Sequence, residues 1–145
     1  MSTAQLTLSL FASAALIGTA IAAPVAEGGK KFTTTLTGAA EVPGPGDSDG
    51  TGTASITINP GQSRICYELT VSNIATANAA HIHSAPVGVA GPVVVPLAAP
   101  DDGNSKDCVD VERSLADAIR KAPQGYYVNV HNAEFPAGAI RGQLG

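Results

Sequence analysis

The sequence has few of the residues that several protein classes require. It has only two cysteines among 145 residues, so it cannot form a four-thiolate zinc site or a dense disulfide scaffold. Eight Lys and Arg residues against twelve Asp and Glu residues give a net charge of −4, and no block of like charge occurs. Nucleic-acid binders carry a basic surface that contacts phosphates, so neither DNA nor RNA is an expected partner.

The length and composition indicate one small β domain. A chain of 145 residues suits a single hydrophobic core and excludes a multidomain protein. Sixteen glycines and ten prolines exceed average usage without reaching the level of a low-complexity chain. This composition favours short strands joined by many turns. No Asn-x-Ser/Thr sequon occurs, so N-glycosylation is not expected.

The first 23 residues have the pattern of a signal peptide. Residues 6–21 form an apolar run without a charged side chain, shorter than the ~20 strongly apolar residues of a transmembrane helix. The run ends in the sequence AIAA at 20–23, which a signal peptidase accepts, so we predict cleavage after residue 22 or 23. Because no Lys or Arg precedes the run, an uncleaved anchor is the alternative.

The mature chain is then expected to have a linker at residues 24–31 and a domain at residues 32–145. We expect a secreted protein, extracellular or, in a bacterium, periplasmic, with no membrane association after cleavage. In such an oxidising compartment Cys66 and Cys108 are expected to form a disulfide. Two buried free thiols are the alternative. The expected partners are an extracellular protein or a cell-wall component.

Most of the domain has the pattern of β-strands. Apolar alternation and β-branched residues predict strands at residues 32–37, 51–58, 65–71, 80–83, 93–95, 126–131 and 139–144. In the third strand Ile65, Tyr67, Leu69 and Val71 share one face, and Cys66 lies on the other. The predicted fold class is mainly β, a Greek-key-like antiparallel β-sandwich.

Two segments between the strands have different patterns. Apolar residues at helical spacing predict one short helix near residues 111–122, with Asp110 as its N-cap and Pro123 as its end. Residues 43–50, PGPGDSDG, predict a solvated surface loop. Asp47 and Asp49 also suggest a calcium loop, but the segment lacks the further acidic ligands and the terminal Glu of an EF-hand.

All three histidines lie in predicted strands. His81 and His83 project from one face of their strand, and Ile82 projects toward the core. Tyr127, Asn129 and His131 share one face of the later strand, so the three imidazoles can converge if the two strands are neighbours. Three neutral imidazoles with an open position suit Zn²⁺ or Cu²⁺. Copper or zinc is therefore the candidate cofactor, and the candidates to orient the ligands are Tyr127, Asn129 and Glu134.

Simpler interpretations of the same residues remain open. A His-x-His pair on a half-buried strand also fits polar side chains that hydrogen-bond to loop carbonyls. Glu134 is a candidate fourth ligand or an acceptor for a ligand, but we favour an ion pair with Arg141 across the final hairpin. No serine lies in a nucleophile-elbow pattern, so we predict no catalytic residue and no hydrolytic activity.

Three motifs resemble the CHRD domain, which was first recognised as a repeat in chordin. They are TLTGAAEVP at 35–43, AHIH at 80–83 with GVAGPVV at 88–94, and YVNVH at 127–131 through GAIRGQL at 138–144. The resemblance extends over residues 32–144 and implies a secreted, single-domain, mainly β protein without an established catalytic activity. It also implies histidines at the positions of His81, His83 and His131, which favours a metal site. It does not imply the growth-factor antagonism of chordin, whose cysteine-rich modules this chain lacks.

A second similarity is to copper/zinc superoxide dismutase, a β-sandwich with a His-x-His strand pair. That enzyme needs further histidines and an aspartate to hold two metals, and this chain has no fourth histidine. We therefore expect a non-catalytic binding or structural module with a candidate site for one copper or zinc ion. A copper-dependent redox enzyme and a purely protein-binding or cell-wall-binding domain are the alternatives.

Overall fold

The structure, a computed structural model, describes residues 29–145, in which eight strands form one antiparallel sheet. The strands are β1 (Lys30–Thr37), β2 (Thr51–Asn59), β3 (Arg64–Ser72), β4 (Ala77–Ser84), β5 (Val93–Leu97), β6 (Asn104–Asp110), β7 (Tyr126–Asn132) and β8 (Ile140–Gln143). A helix, α1 (Arg113–Lys121), lies between β6 and β7. Short 3-10 turns occupy Gly38–Ala40, Pro60–Gln62 and Pro123–Gly125.

The start of the described chain differs from the predicted domain boundary. Lys30 and Lys31, which the sequence placed in the linker, pair with Ile58 and Thr57 as the first residues of β1. The predicted signal peptide and the rest of the predicted linker lie outside the described residues.

The sheet curls until its two edges approach each other. The strand order is β5-β4-β7-β8-β1-β2-β3-β6, so β5 and β6 are consecutive in the chain but lie at opposite edges. The connection between them contacts β3, because the Ala98 amide donates to the Tyr67 hydroxyl at 2.8 Å and the Val71 amide donates to the Gly103 carbonyl at 2.9 Å. The sheet is therefore nearly closed into a barrel-like sandwich. The predicted mainly β antiparallel sandwich with one short helix is confirmed.

Strict alternation of side chains fills the interior of this sandwich. The inward positions of the strands are apolar and fully buried; they include Leu36, Ile56, Ile58, Ile65, Leu69, Ile82, Val128, Val130 and Ile140. The helix adds Ala116 and Ile119, both fully buried. Burying apolar area of this kind is the main stabilising contribution to the fold. Neither α1 nor the short turns of residues 29–145 have the length and apolar character needed to cross a membrane.

The predictions around residue 110 are partly wrong. Residues 104–110 form strand β6, which the sequence analysis missed because its side chains are polar and mostly exposed. Such a pattern is typical of an edge strand, which pairs on one side only. Asp110 is the last residue of β6, and its carboxylate accepts a hydrogen bond from Arg64 Nε at 2.9 Å. It does not cap α1, whose N-cap residue is Glu112 and which begins at Arg113.

The loop at residues 43–50 is less solvated than predicted. Gly46, Asp47 and Gly50 are buried, while Asp49 is exposed. The Asp47 amide donates to the Ala139 carbonyl at 2.8 Å, which fastens the loop to the start of β8. The loop therefore packs against the chain at the start of β8 instead of projecting into solvent along its whole length.

Cys66 and Cys108 form a disulfide, as predicted, and the alternative of two free thiols is wrong. The two residues are direct partners in the pairing of β3 with β6. The bond therefore ties the edge strand to its neighbour on the outer face of the sheet. A disulfide fits an oxidising compartment.

We expect the double substitution Cys66→Ala and Cys108→Ala to lower the free energy of unfolding by about 4 kcal/mol, since the bond closes a loop of sequence separation 42. Urea unfolding of the oxidised protein and the double variant would measure the difference. A difference below about 1 kcal/mol would contradict the prediction.

Candidate metal centre

The three histidines lie on the outer face of β4 and β7, which are neighbours in the sheet. The pairing of these strands places His81 opposite Asn129 and His83 opposite Tyr127. Ile82, between the two histidines of β4, is fully buried in the core. Because successive side chains point to opposite faces, His81 and His83 project together away from that core.

The rings of these residues converge, as the sequence analysis predicted for neighbouring strands. One nitrogen from each of His81, His83 and His131 lies within 4.8 Å of the others. His81 Nδ1 is 3.2 Å from His131 Nε2. Two nitrogens bound to one tetrahedral zinc ion are separated by about 3.3 Å, given bonds of 2.0–2.1 Å. Two of the three rings therefore already have nearly the spacing of ligands on one ion.

Loop carbonyls fix the proton position on two of the rings. His83 Nδ1 lies 2.8 Å from the Gly91 carbonyl oxygen, and His131 Nδ1 lies 3.1 Å from the Pro136 carbonyl oxygen. Because a carbonyl only accepts, each neutral ring carries its hydrogen on Nδ1 and has its lone pair on Nε2. His83 Nε2 is buried and has no hydrogen-bond partner within residues 29–145. This orphaned nitrogen points to a missing partner.

The surroundings keep the other two rings neutral. Burial lowers the pKa of His81, and the neighbouring rings of His131 and His83 lower it further. Burial also lowers the pKa of His131, against an opposing contribution from its hydrogen bond to Pro136. Neutral imidazole is the form that binds a metal, so both rings are in the ligand-competent state at neutral pH.

Tyr127 and Asn129, two of the three residues proposed to orient the ligands, contact the histidines. The Tyr127 ring stacks on His83 with 4.7 Å between centroids, and its hydroxyl accepts a hydrogen bond from the Gly91 amide at 3.2 Å. Asn129 is 2% exposed, and its Oδ1 lies 2.9 Å from His131 Nε2. Tyr127 therefore holds the same loop residue whose carbonyl orients His83.

Glu134, the third of these residues, lies elsewhere. It is exposed and makes no ion pair with Arg141 in the part of the chain that the structure describes, so the favoured ion pair is wrong. The Arg141 guanidinium is instead buried and donates to the carbonyls of Val89 at 2.9 Å and Pro86 at 3.1 Å. It also lies 3.4 Å from the centre of the Tyr127 ring. Arg141 thus holds the loop that covers the site.

Glu41 is the site residue that the sequence analysis missed. Its side chain is 5% exposed, and its Oε1 has no hydrogen-bond partner among the described residues. Burial raises the pKa of this carboxyl to about 7, while Arg141, the Val42 backbone and a hydrogen bond from Asn129 act in the opposite direction. The signal in the sequence was a single acidic residue inside the otherwise uncharged motif at residues 35–43.

Comparison with known proteins identifies the family but no individual relative. The family model of the CHRD domain matches residues 32–144 of the sequence, which confirms the resemblance found in the sequence motifs. No curated protein and no solved structure matches the chain.

We predict that Glu41 makes the metal-free protein less stable as the pH rises. Its folded-state pKa of about 7 lies above the ordinary 4.5, so its contribution to stability is complete below pH 4.5 and is lost as the pH rises to 7. The free energy of unfolding of the wild type, measured in urea and EDTA, should therefore decrease relative to that of Glu41→Gln between pH 5 and pH 8.

Histidine titration is common to both proteins and cancels in this difference. Glu134→Gln, at an exposed carboxylate, is the matched control and should show no such trend. An equal difference between wild type and Glu41→Gln at the two pH values would refute the assignment.

Proposed function

This chain belongs to the CHRD domain family, and we propose that it is a non-catalytic module that binds one divalent transition-metal ion. The ligands are His81, His83 and His131, and the metal is zinc or copper. The observation that carries this proposal is the buried His83 Nε2, which has no hydrogen-bond partner among residues 29–145. An unsatisfied buried polar atom costs roughly 1–3 kcal/mol, and an ion at the centre of the three rings would remove that cost.

The donor set supports zinc and copper over other common metals. The ligand atoms are imidazole nitrogens, and both cysteines are consumed in the disulfide. Calcium and magnesium prefer oxygen donors, whereas imidazole suits zinc and copper. For a given set of ligands Cu²⁺ binds more tightly than Zn²⁺, so copper should displace zinc from this site.

We further propose that the protein functions outside the cytoplasm, as a secreted or periplasmic protein. The disulfide supports this because such bonds persist in oxidising compartments. Its partner in this proposal is an extracellular protein or a cell-wall component. The exposed large apolar side chains of the described residues, Val87, Val89 and Val93, lie in or beside the loop that covers the histidines and offer a contact surface next to the metal.

Removal of one ligand tests the metal site. We expect full-length protein purified without a histidine tag to bind one zinc ion, and His83→Ala and His131→Ala to bind zinc more than ~100-fold more weakly. That figure exceeds the 10- to 100-fold loss typical when a residue that only orients a ligand is changed. Competition with a chromophoric chelator would measure the affinities, and elemental analysis would measure the stoichiometry.

The control for this experiment is Glu134→Gln, which should bind zinc as the wild type does. If both histidine variants bound zinc and copper as tightly as the wild type does, the site would be refuted. A copper-loaded protein that consumes superoxide faster than free copper would refute the non-catalytic part of the proposal and favour a redox enzyme.

Metal affinity should also depend on pH in one direction. Because burial lowers the pKa values of His81 and His131 below 6.5, protons should compete with zinc only in acid solution. We expect zinc affinity to be constant between pH 8 and pH 7 and to decrease progressively below pH 6.5, as measured by calorimetric titration. An affinity that stays constant down to pH 5 would contradict metal binding by imidazole.

A further inference from the structure

We propose that Asn129 Oδ1 is the fourth donor to the metal and that the Glu41 carboxylate orients the Asn129 side chain for this role. The inference rests on the metal binding proposed above. It assigns the site an N3O ligand set supplied entirely by the protein.

The position of Asn129 follows from the strand register. Asn129 lies directly opposite His81 in the pairing of β4 with β7 and two residues before His131 on the same face of β7. Its Oδ1 is 2.9 Å from His131 Nε2, and the same nitrogen is 3.2 Å from His81 Nδ1. Ligands of one tetrahedral ion are about 3.3 Å apart. The oxygen therefore needs to move only slightly to share an ion with the rings.

The hydrogen positions around His131 leave two hydrogen-bond acceptors facing each other, and a cation between them would satisfy both. The Pro136 carbonyl beside Nδ1 only accepts, so the neutral ring has its hydrogen on Nδ1 and a lone pair on Nε2. That lone pair faces Asn129 Oδ1, which also only accepts. Even if His81 donates from Nδ1 to the lone pair of His131, the amide oxygen has no hydrogen to receive. A metal ion bound by both atoms satisfies both lone pairs.

Glu41 explains why the amide oxygen, and not the amide nitrogen, faces His131. Its buried carboxyl interacts with the Asn129 side chain, which lowers the pKa of the carboxyl. A carboxylate only accepts, so it takes a hydrogen from Nδ2 and turns Oδ1 toward the histidines. The carboxyl is confined in turn, because a Cβ atom at Gly138 would collide with both of its oxygens, and one at Gly46 would lie 2.8 Å from its Cγ. Glu41 is therefore a positioning residue.

The assignment determines what kind of metal site this is. Structural zinc sites have four protein ligands, whereas catalytic sites keep a position open for water or substrate. With Asn129 as the fourth donor the site is closed, which agrees with a non-catalytic module. Glu134, the other candidate fourth ligand, is exposed and does not belong to the group of converging ligand atoms.

Cobalt substitution with an azide titration tests this assignment. Cobalt-loaded wild type should show an intense four-coordinate visible spectrum that azide does not change. Asn129→Ala replaces the amide donor with water, so azide should bind and shift the spectrum. Glu41→Gln should retain the spectrum type but bind cobalt about tenfold more weakly, while Glu134→Gln should match the wild type in both readouts.

The outcomes separate this inference from the proposed function. If the wild type gives no cobalt spectrum, the metal site itself is refuted, and the fourth donor with it. If cobalt binds but azide shifts the wild-type and Asn129→Ala spectra equally, only the fourth donor is refuted. If Asn129→Ala does not fold, ¹⁵N spectra of the wild type decide: zinc should shift the Asn129 side-chain NH₂ resonances, and unchanged resonances would overturn the assignment.

Discussion

The register of β4 against β7 determines the arrangement of the three histidines on the outer face of this domain. It places His81 beside Asn129 and His83 beside Tyr127, and it brings the ring of His131 to within 3.2 Å of His81. A shift of one residue in this register would turn either the histidines or Ile82 to the wrong face. Because Ile82, Val128 and Val130 must stay in the core, burial of apolar side chains fixes the geometry of the histidines.

The two faces of the sheet are therefore packed differently. Its inner face is apolar, and its outer face at β4, β7 and β8 is polar and covered by loops. Side chains of the sheet hold these loops through hydrogen bonds to loop carbonyls. His83 bonds to the Gly91 carbonyl, and Arg141 donates to the carbonyls of Pro86 and Val89. Arg141, Tyr127 and His83 stack in sequence, with 3.4 Å from the guanidinium to the Tyr127 centroid and 4.7 Å between the rings. The loops consequently shield His83 from solvent, and their carbonyls orient His83 and His131.

The sequence was sufficient for the parts of this arrangement that depend on local periodicity. Period-two alternation placed His81 and His83 on one face, and Tyr127, Asn129 and His131 on one face, as the structure confirms. It could not place Glu41, because this residue lies after β1 and reaches the site only through the pairing of Thr37 with Arg141. It also missed β6, whose polar edge pattern has no periodic signal, and it therefore assigned Asp110 to the helix.

The most direct test of the central claim is an anomalous-difference map recorded at the zinc edge from crystals of the zinc-loaded protein. Our account predicts one strong peak about 2.0–2.1 Å from a nitrogen of each of His81, His83 and His131. A peak located elsewhere, or a His131 ring on the opposite face of the sheet from His81, would contradict the account.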